Sequence, residues 1–196
     1  MSVNLKAALI ANLALAAVWS APCFAQSQDL SIRTGRDGDF VTVSASIFMK
    51  VDPRIVWAVL TDYDHLAKFI PDMKSSRVVS RDGNKVRVEQ NGQAGFFFYT
   101  EPINVTLEIH EEPPTRITAR GVEGNIKGLE TRYELHPSEA GVKLDYSGRF
   151  VPGFSIPPLI GMPIMSRLIE RRFRAMIDEI KRRDALARGA SRPPLK

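Results

Sequence analysis

The stretch that decides the fold is PIMSRLIERRFRAMIDEIKRRDALA, from Pro163 to Ala187. Its apolar residues recur at spacings of three and four, which places them on one side of a helix with 3.6 residues per turn. Proline is tolerated in a first helical turn, so Pro163 suits the start. The apolar side consists of Met165, Leu168, Ile169, Phe173, Met176, Ile177 and Ile180. We therefore expect a long amphipathic helix whose apolar side is covered by the rest of the protein.

The opposite side of this helix is charged. Its members are Arg167, Glu170, Arg171, Arg174, Asp178, Lys181 and Arg182. Glu170 with Arg174, and Asp178 with Arg182, are acid-before-base pairs four residues apart, a spacing that supports a helix. Arg172 lies at the edge of the apolar side, where its charge can reach a ligand headgroup or its stem can simply cover apolar surface.

The chain before the helix is mostly a series of predicted strands. Residues 40–51 alternate between apolar and polar, as a half-buried strand does. Asp52 is placed to cap a short helix that begins at Pro53, and Asp64 to cap a second one over residues 65–69. Six further strands follow between residues 73 and 151, with turns that include residues 82–84 and the glycine-rich residues 92–95.

Sequential hairpins predict an antiparallel sheet, and the segregation of helices from strands predicts an α+β domain. We expect a helix-grip fold. In it, a curved seven-stranded antiparallel sheet wraps around the long C-terminal helix, and two short helices follow the first strand.

The first 25 residues have the pattern of a secretory signal peptide. Lys6 precedes an apolar run from Ala7 to Trp19, and small residues at Cys23 and Ala25 suit cleavage after Ala25. An uncleaved anchor is the alternative, and Pro22 argues against a lipoprotein signal. We expect a periplasmic protein, with secretion as a second possibility.

Cleavage would leave residues 26–196. We expect a flexible lead-in over 26–38, one domain over 39–188 and a disordered tail over 189–196. The single cysteine of the chain, Cys23, would leave with the signal, so neither disulfides nor a catalytic thiol are expected.

The positive charge is concentrated at one end. Residues 167–196 contain ten Lys and Arg against four Asp and Glu, whereas residues 26–166 contain sixteen against eighteen. Such an asymmetry suggests an anionic partner. We expect no nucleic acid, because no reading motif is present, and favour an anionic membrane surface. A solvated helix face is the plainer alternative.

The segment Val51-Asp52-Pro53, followed by residues 56–63 (VWAVLTDY) and by Phe69-Ile70-Pro71, resembles the START-like (SRPBCC) superfamily. Within it, the chain is most similar to the polyketide cyclase/dehydrase and coenzyme-Q-binding group, over residues 39–183. The resemblance implies a deep cavity between the curved sheet and the C-terminal helix. Relatives use such a cavity for lipids, quinones, sterols or aromatic polyketides, but a shared fold does not settle the chemistry.

A ligand cavity would be formed by one face of the last two strands, the loop before the long helix and the apolar side of that helix. The alternative is a filled core. The candidate ligand-binding residues are Thr131, Tyr133, Tyr146, Phe150, Phe154, Ile156, Leu159, Met165, Leu168, Ile169, Arg172, Phe173 and Met176.

The loop over residues 151–163 contains no charged residue and is rich in Pro and Gly. Exposed, it would be an apolar patch suited to docking on a membrane; buried, it would plug one end of the barrel.

Catalytic residues are harder to identify. His65, His110 and His136 are not spaced as metal ligands, and Asp62 and Asp64 are explained as helix caps. Glu101 is the acid to test first if its side chain points inward. We expect no metal and no cofactor.

Three hypotheses remain open. The first is a binding protein for a hydrophobic ligand such as a lipid or isoprenoid quinone. The second is a cyclase/dehydrase-type enzyme acting on an aromatic or polyketide substrate. The third is a protein-interaction module with a filled core.

Overall fold

The computed structural model describes residues 30–96, 99–153 and 161–190, without the side chains of residues 95, 96 and 99. Within these ranges the strands form one antiparallel sheet in the order β1-β2-β8-β7-β6-β5-β4-β3. The strands are β1 (Ser31–Asp37), β2 (Phe40–Met49), β3 (Met73–Asp82), β4 (Lys85–Phe96), β5 (Tyr99–Glu112), β6 (Arg116–Gly124), β7 (Lys127–Ser138) and β8 (Gly141–Val151). The predicted α+β class and antiparallel sheet are confirmed.

Two short helices separate β2 from β3. Helix α1 spans Pro53–Leu60, and a 3₁₀ helix spans Tyr63–Lys68. Asp52 caps α1 as predicted, since its carboxylate accepts a hydrogen bond from the Arg54 N–H at 2.8 Å. Asp64 is not a cap: its carboxylate accepts from the Val78 N–H at 2.7 Å and ties the 3₁₀ helix to β3.

The sheet has eight strands, one more than the sequence predicts. The additional strand, β1, lies in the segment expected to be a flexible lead-in. It pairs with β2 from Ser31↔Ser46 to Asp37↔Phe40, across a two-residue turn in which Gly38 has a φ of 57°. An edge strand can be held by backbone hydrogen bonds alone, so it need not show an apolar period.

The predicted turn over residues 92–95 is also wrong. Strand β4 continues to Phe96 and stays in register with β5 from Lys85↔His110 to Phe96↔Tyr99. Gly92 serves packing instead: a Cβ there would lie 2.6 Å from the Asp72 carbonyl oxygen.

The long helix α2 spans Gly161–Ala190, and so extends beyond the predicted bounds at both ends. Its last two residues fall in the expected tail. The rest of that tail, residues 191–196, and the predicted signal peptide lie outside the described ranges. Within the described part of the chain, no helix is long and apolar enough to cross a membrane.

The C-terminal half of α2 packs on α1 and on the first strands. Ile180 of α2, and Val56 and Val59 of α1, are 0 % exposed. Asp184 is buried as well, and its carboxylate accepts a hydrogen bond from the Asp52 N–H at 3.0 Å. The residue that caps α1 is therefore itself held by α2.

Candidate functional site

The N-terminal half of α2 faces a cavity of about 330 Å³. Residues of seven strands line it, because alternate side chains of each strand point to the same face of the sheet. We call this the inner face. Its lining residues include Val43, Met73, Gln90, Val105, Leu107, Ile109, Ile117, Ala119 and Leu129.

Ten of the thirteen candidate ligand-binding residues line this cavity. They are Thr131, Tyr133, Tyr146, Phe150, Met165, Leu168, Ile169, Arg172, Phe173 and Met176. The other three, Phe154, Ile156 and Leu159, lie outside the described residues. Their assignment as a set to ligand binding stays a prediction, but the placement of the ten follows the period of α2 and the alternation of β7 and β8.

Other cavity residues were missed from the sequence. Leu60, Tyr63, Leu66 and Ile70 close one side from α1, the 3₁₀ helix and the turn after it. The strands β4, β5 and β6 also line the cavity, whereas the sequence analysis assigned its sheet wall to the last two strands. The alternation of these three strands is visible in the sequence. The pattern does not show, however, that they surround the same space as α2.

Two tyrosines and a phenylalanine form the aromatic part of the wall. The ring centroids of Tyr133 and Tyr146 lie 4.8 Å apart, and those of Tyr146 and Phe173 lie 4.9 Å apart. Burial raises the pKa of Tyr133 to about 12, and raises that of Tyr146 further. Both phenols are thus protonated at neutral pH and able to donate a hydrogen bond.

Gly148 makes room for the Tyr146 ring. It pairs with Val43 and Thr131 in the middle of the sheet, on the same face as Tyr146. A Cβ at Gly148 would lie 2.5 Å from the Tyr146 hydroxyl oxygen and 2.9 Å from its Cζ. The phenol therefore occupies the space that any other residue would fill with a side chain.

Arg172 is the charged residue of the described cavity lining. Its Nη2 donates a hydrogen bond to the Gln93 carbonyl oxygen at 3.2 Å. Its Nε is buried and has no hydrogen-bond partner among the described residues. Desolvation lowers the pKa of this guanidinium, although an arginine stays protonated at neutral pH.

A second polar group lies at the 3₁₀-helix side of the cavity. The Tyr63 hydroxyl is buried without a hydrogen-bond partner in the described structure. Burial, and secondarily the nearby Glu111 carboxylate, raises the pKa of Tyr63. Glu111 is itself held by Arg81, with Nη1 and Nη2 at 3.0 and 3.2 Å from its two oxygens.

The outer face of the sheet carries a wider, more open depression of about 1070 Å³. Its wall is charged, and the charges are matched across strands: Arg120 lies 2.9 Å from Glu108, and Arg149 lies 2.8 Å from Glu130. Such paired, solvated side chains are typical of the exposed face of an antiparallel sheet. We therefore place the candidate site on the inner face.

Most arginines of α2 that the sequence offers to an anionic partner are already paired. Arg174 lies 2.6 Å from Glu170 as predicted, whereas Arg182 pairs with Glu179 at 2.7 Å instead of with Asp178. Arg171 pairs with Asp72 and Arg188 with Asp184. This pairing suits the solvated-face alternative, and docking on a membrane stays a prediction.

The histidines and aspartates considered as catalytic candidates do not line the cavity. His65 lies 2.6 Å from Asp62, which also binds Arg183 at 2.7 Å, so Asp62 links the 3₁₀ helix to α2. His136 lies 3.1 Å from Asp145. Among the described residues, no group of three His, Cys, Asp or Glu side chains could hold a metal ion.

Glu101 is half-buried, and its register with Ala94 places it on the inner face. It is not among the residues that line the cavity.

Sequence comparison agrees with this architecture. The profile of the family described as polyketide cyclase / dehydrase and lipid transport matches residues 41–183, from β2 to the last third of α2. The chain belongs to this family. As a member of the polyketide cyclase/dehydrase and lipid transport family, it is a START-like (SRPBCC) protein, as the resemblance in its sequence suggested. Comparison with curated protein sequences gave no match.

Solved structures show the same fold in proteins of different chemistry. The protein TTHA0849 from Thermus thermophilus superposes with a TM-score of 0.60 at 17 % identity, over 74 % of this chain and 98 % of that one. The Zhui aromatase/cyclase from a Streptomyces species gives 0.59 at 15 %, over 72 % and 91 %. A STAR-related lipid transfer protein from Xanthomonas axonopodis gives 0.59 at 14 %, over 78 % and 93 %. At these identities the likeness establishes the fold alone.

Proposed function

We propose that this member of the family is a binding protein for a hydrophobic small molecule, such as a lipid or an isoprenoid quinone. The observation that carries the proposal is the cavity of about 330 Å³ between the inner face and α2. Ligand sites of proteins are concave and mostly apolar, with a few placed polar groups. Here the polar groups include the phenols of Tyr133 and Tyr146 and the guanidinium of Arg172.

The lining favours binding over catalysis. General acid–base chemistry needs titratable groups within reach of the reacting atoms. The described lining contains no carboxylate and no imidazole, and its tyrosines hold their protons at neutral pH. A cyclase-type reaction is the alternative, because one structural neighbour is named as an aromatase/cyclase. Glu101 is the residue through which that alternative would act.

We extend the proposal to the compartment. The apolar run from Ala7 to Trp19, the preceding Lys6 and the small residues before Gln26 support export and cleavage after Ala25. The protein would then work in the periplasm, where a carrier with an apolar cavity can hold a molecule that water does not dissolve.

One experiment tests cavity and compartment together. The full-length chain is expressed in a Gram-negative host, recovered from the periplasmic fraction and measured by native mass spectrometry. We expect a protein that begins at Gln26 and carries a co-purified apolar molecule. After delipidation it should bind a neutral naphthylamine dye. An empty protein that also leaves the dye in solution would contradict the proposal, and a full-length cytoplasmic protein would contradict the compartment.

A matched pair of variants locates the dye. Ala119 lines the cavity, whereas Ala185 is exposed on α2. Ala119→Phe should fill the space and weaken dye binding at least about tenfold, while Ala185→Phe should leave it unchanged. Equal affinity in both variants would place the dye elsewhere on the protein.

A further inference from the structure

Arg172 lines the cavity and has no anionic partner among the described residues. One of its N–H groups binds the Gln93 carbonyl oxygen at 3.2 Å, and its Nε–H is buried without a partner in the described residues. No carboxylate of the described chain lies within ion-pair distance of it. Buried guanidinium groups are ordinarily paired, because removing a charge from water is costly.

The Asp72 carboxylate, which interacts electrostatically with the Arg172 guanidinium, is already engaged. Asp72 pairs with Arg171, the residue next to Arg172 on α2. The backbone of Asp72 is fixed too, since its carbonyl oxygen accepts a hydrogen bond from the Gln93 N–H at 2.9 Å. Asp72 and Gln93 are therefore bonded to each other, and Arg172 remains the charged residue of the described cavity lining.

The lining has a simple charge balance. It presents one cation, Arg172, against a wall that is otherwise apolar or neutral over the described residues. A complementary guest would have an apolar body and a single negative charge. The guanidinium is well suited to bind such a group, because its planar fork matches the two oxygens of a carboxylate.

We propose that the cavity takes an amphiphile with one carboxylate, whose headgroup binds Arg172 while its apolar body lies along the inner face toward Tyr146 and Phe173. This inference rests on the proposed function and narrows it from hydrophobic molecules in general to carboxylic acids with an apolar chain or ring system. A phosphate monoester is the alternative anion. Its second charge has no cation to meet in the described lining, so it should bind less well.

The test compares three probes that share one chain: dodecanoate, dodecanol and dodecyl phosphate. The delipidated protein is loaded with the neutral naphthylamine dye and titrated with each probe, and the affinity of the probe is measured from the displacement of the dye. We expect dodecanoate to bind more tightly than either of the others. Arg172→Gln should weaken dodecanoate about tenfold or more, the usual effect of losing a charge-assisted hydrogen bond, while dodecanol changes less than about twofold.

Two further variants separate recognition from packing. Arg174→Gln removes an exposed arginine from the same helix and should leave all three affinities unchanged. Arg172→Lys keeps the charge without the fork and should retain part of the preference for dodecanoate. If Arg172→Gln does not fold, the probe preference of the wild type together with Arg172→Lys still decides the proposal.

The outcomes distinguish this inference from the proposed function. If dodecanol and dodecanoate bind equally well, or if Arg172→Gln weakens both to the same extent, the protein binds hydrophobic molecules but the carboxylate assignment is wrong. Tighter binding of dodecyl phosphate would also overturn it in favour of the dianion. If neither the dye nor any of the three probes binds, both the inference and the proposed function are wrong.

Discussion

The two halves of α2 have the same amphipathic pattern but different surroundings. Residues 161–176 face a cavity, whereas residues 177–190 pack against α1 and the first strands. Ile169 in the first half is only partly buried, while Ile180 in the second is 0 % exposed. A stripe of large apolar residues thus covers solid core in one half and forms the wall of a hollow in the other.

The packed half is also held by polar contacts that reach distant parts of the chain. Asp184 accepts a hydrogen bond from the Asp52 N–H, and Arg183 pairs with Asp62 at 2.7 Å. Arg188 donates to the Lys50 carbonyl oxygen at 2.8 Å. The second half of α2 is therefore anchored to α1 and to the residues on both sides of it, whereas the polar contacts of the first half join Arg171 to Asp72 and Arg172 to Gln93.

The largest expected effect comes from truncating the anchor. Ile180→Ala removes a fully buried side chain from a packed region and should lower the free energy of unfolding by about 2–5 kcal/mol. The check is urea unfolding followed by circular dichroism.

The matching change in the first half is Leu168→Ala. Leu168 lines the cavity, so one side of it has no packed neighbours to lose, and its truncation should cost less than about 1 kcal/mol. Equal losses at positions 168 and 180 would mean that the two halves do not differ.

An effect smaller than that of Ile180→Ala is expected at the link between α2 and α1. Asp184→Ala leaves the Asp52 N–H without its acceptor and Arg188 without its partner, and should cost about 1–3 kcal/mol. Asp184→Asn is the control, because the amide oxygen can still accept from Asp52. It should lose less than about 1 kcal/mol, because the Arg188 side chain of the lost ion pair is 65 % exposed and such pairs contribute little. A loss as large as that of Asp184→Ala would mean that the charge of Asp184 stabilises the link, and not its hydrogen bond from the Asp52 N–H.

The smallest effect concerns Glu179, whose pKa is lowered from 4.5 to about 2, first by Arg182 and then by Arg183. A lowered pKa stabilises the folded state above pH 4.5, and this contribution is lost as the pH falls from 4.5 toward 2. Glu179→Gln should therefore cost up to about 1 kcal/mol at pH 7.

The check for Glu179 is the urea midpoint at several pH values. The difference between wild type and Glu179→Gln should shrink steadily below pH 4.5. A difference that stays constant down to pH 2 would show that the lowered pKa does not contribute to stability.

The sequence predicts the elements better than it predicts their surroundings. The period of α2 and the alternation of β7 and β8 identify which side chains face inward, and ten candidate residues do line the cavity. Periodicity reports the direction of a side chain, not the distance to whatever faces it. For this reason the pattern alone favours a filled core, and the cavity is expected only from the family resemblance. In the structure the packed half of α2 is filled, and the other half borders the cavity.

Strand β1 shows a different limit. Ile32 is the one large apolar residue among SIRTGRD, so an apolar period could not reveal it. Its partner β2 supplies the backbone hydrogen bonds, and the remaining signal in the sequence is the Gly38-Asp39 pair, which forms the two-residue hairpin turn. The prediction of a turn over residues 92–95 is wrong for the opposite reason, since Gly92 permits close packing inside a strand and does not end it.

The absence of a side chain at Gly148 has a consequence for the breadth of guests that the protein can admit. Since the Tyr146 phenol lies where a Cβ would otherwise be, its hydroxyl is kept against the sheet. Even one methyl group at position 148 would displace the Tyr146 phenol, and so would change the cavity wall without replacing a residue that lines it. A substitution behind an aromatic residue of the cavity wall can therefore change which ligands such a protein binds.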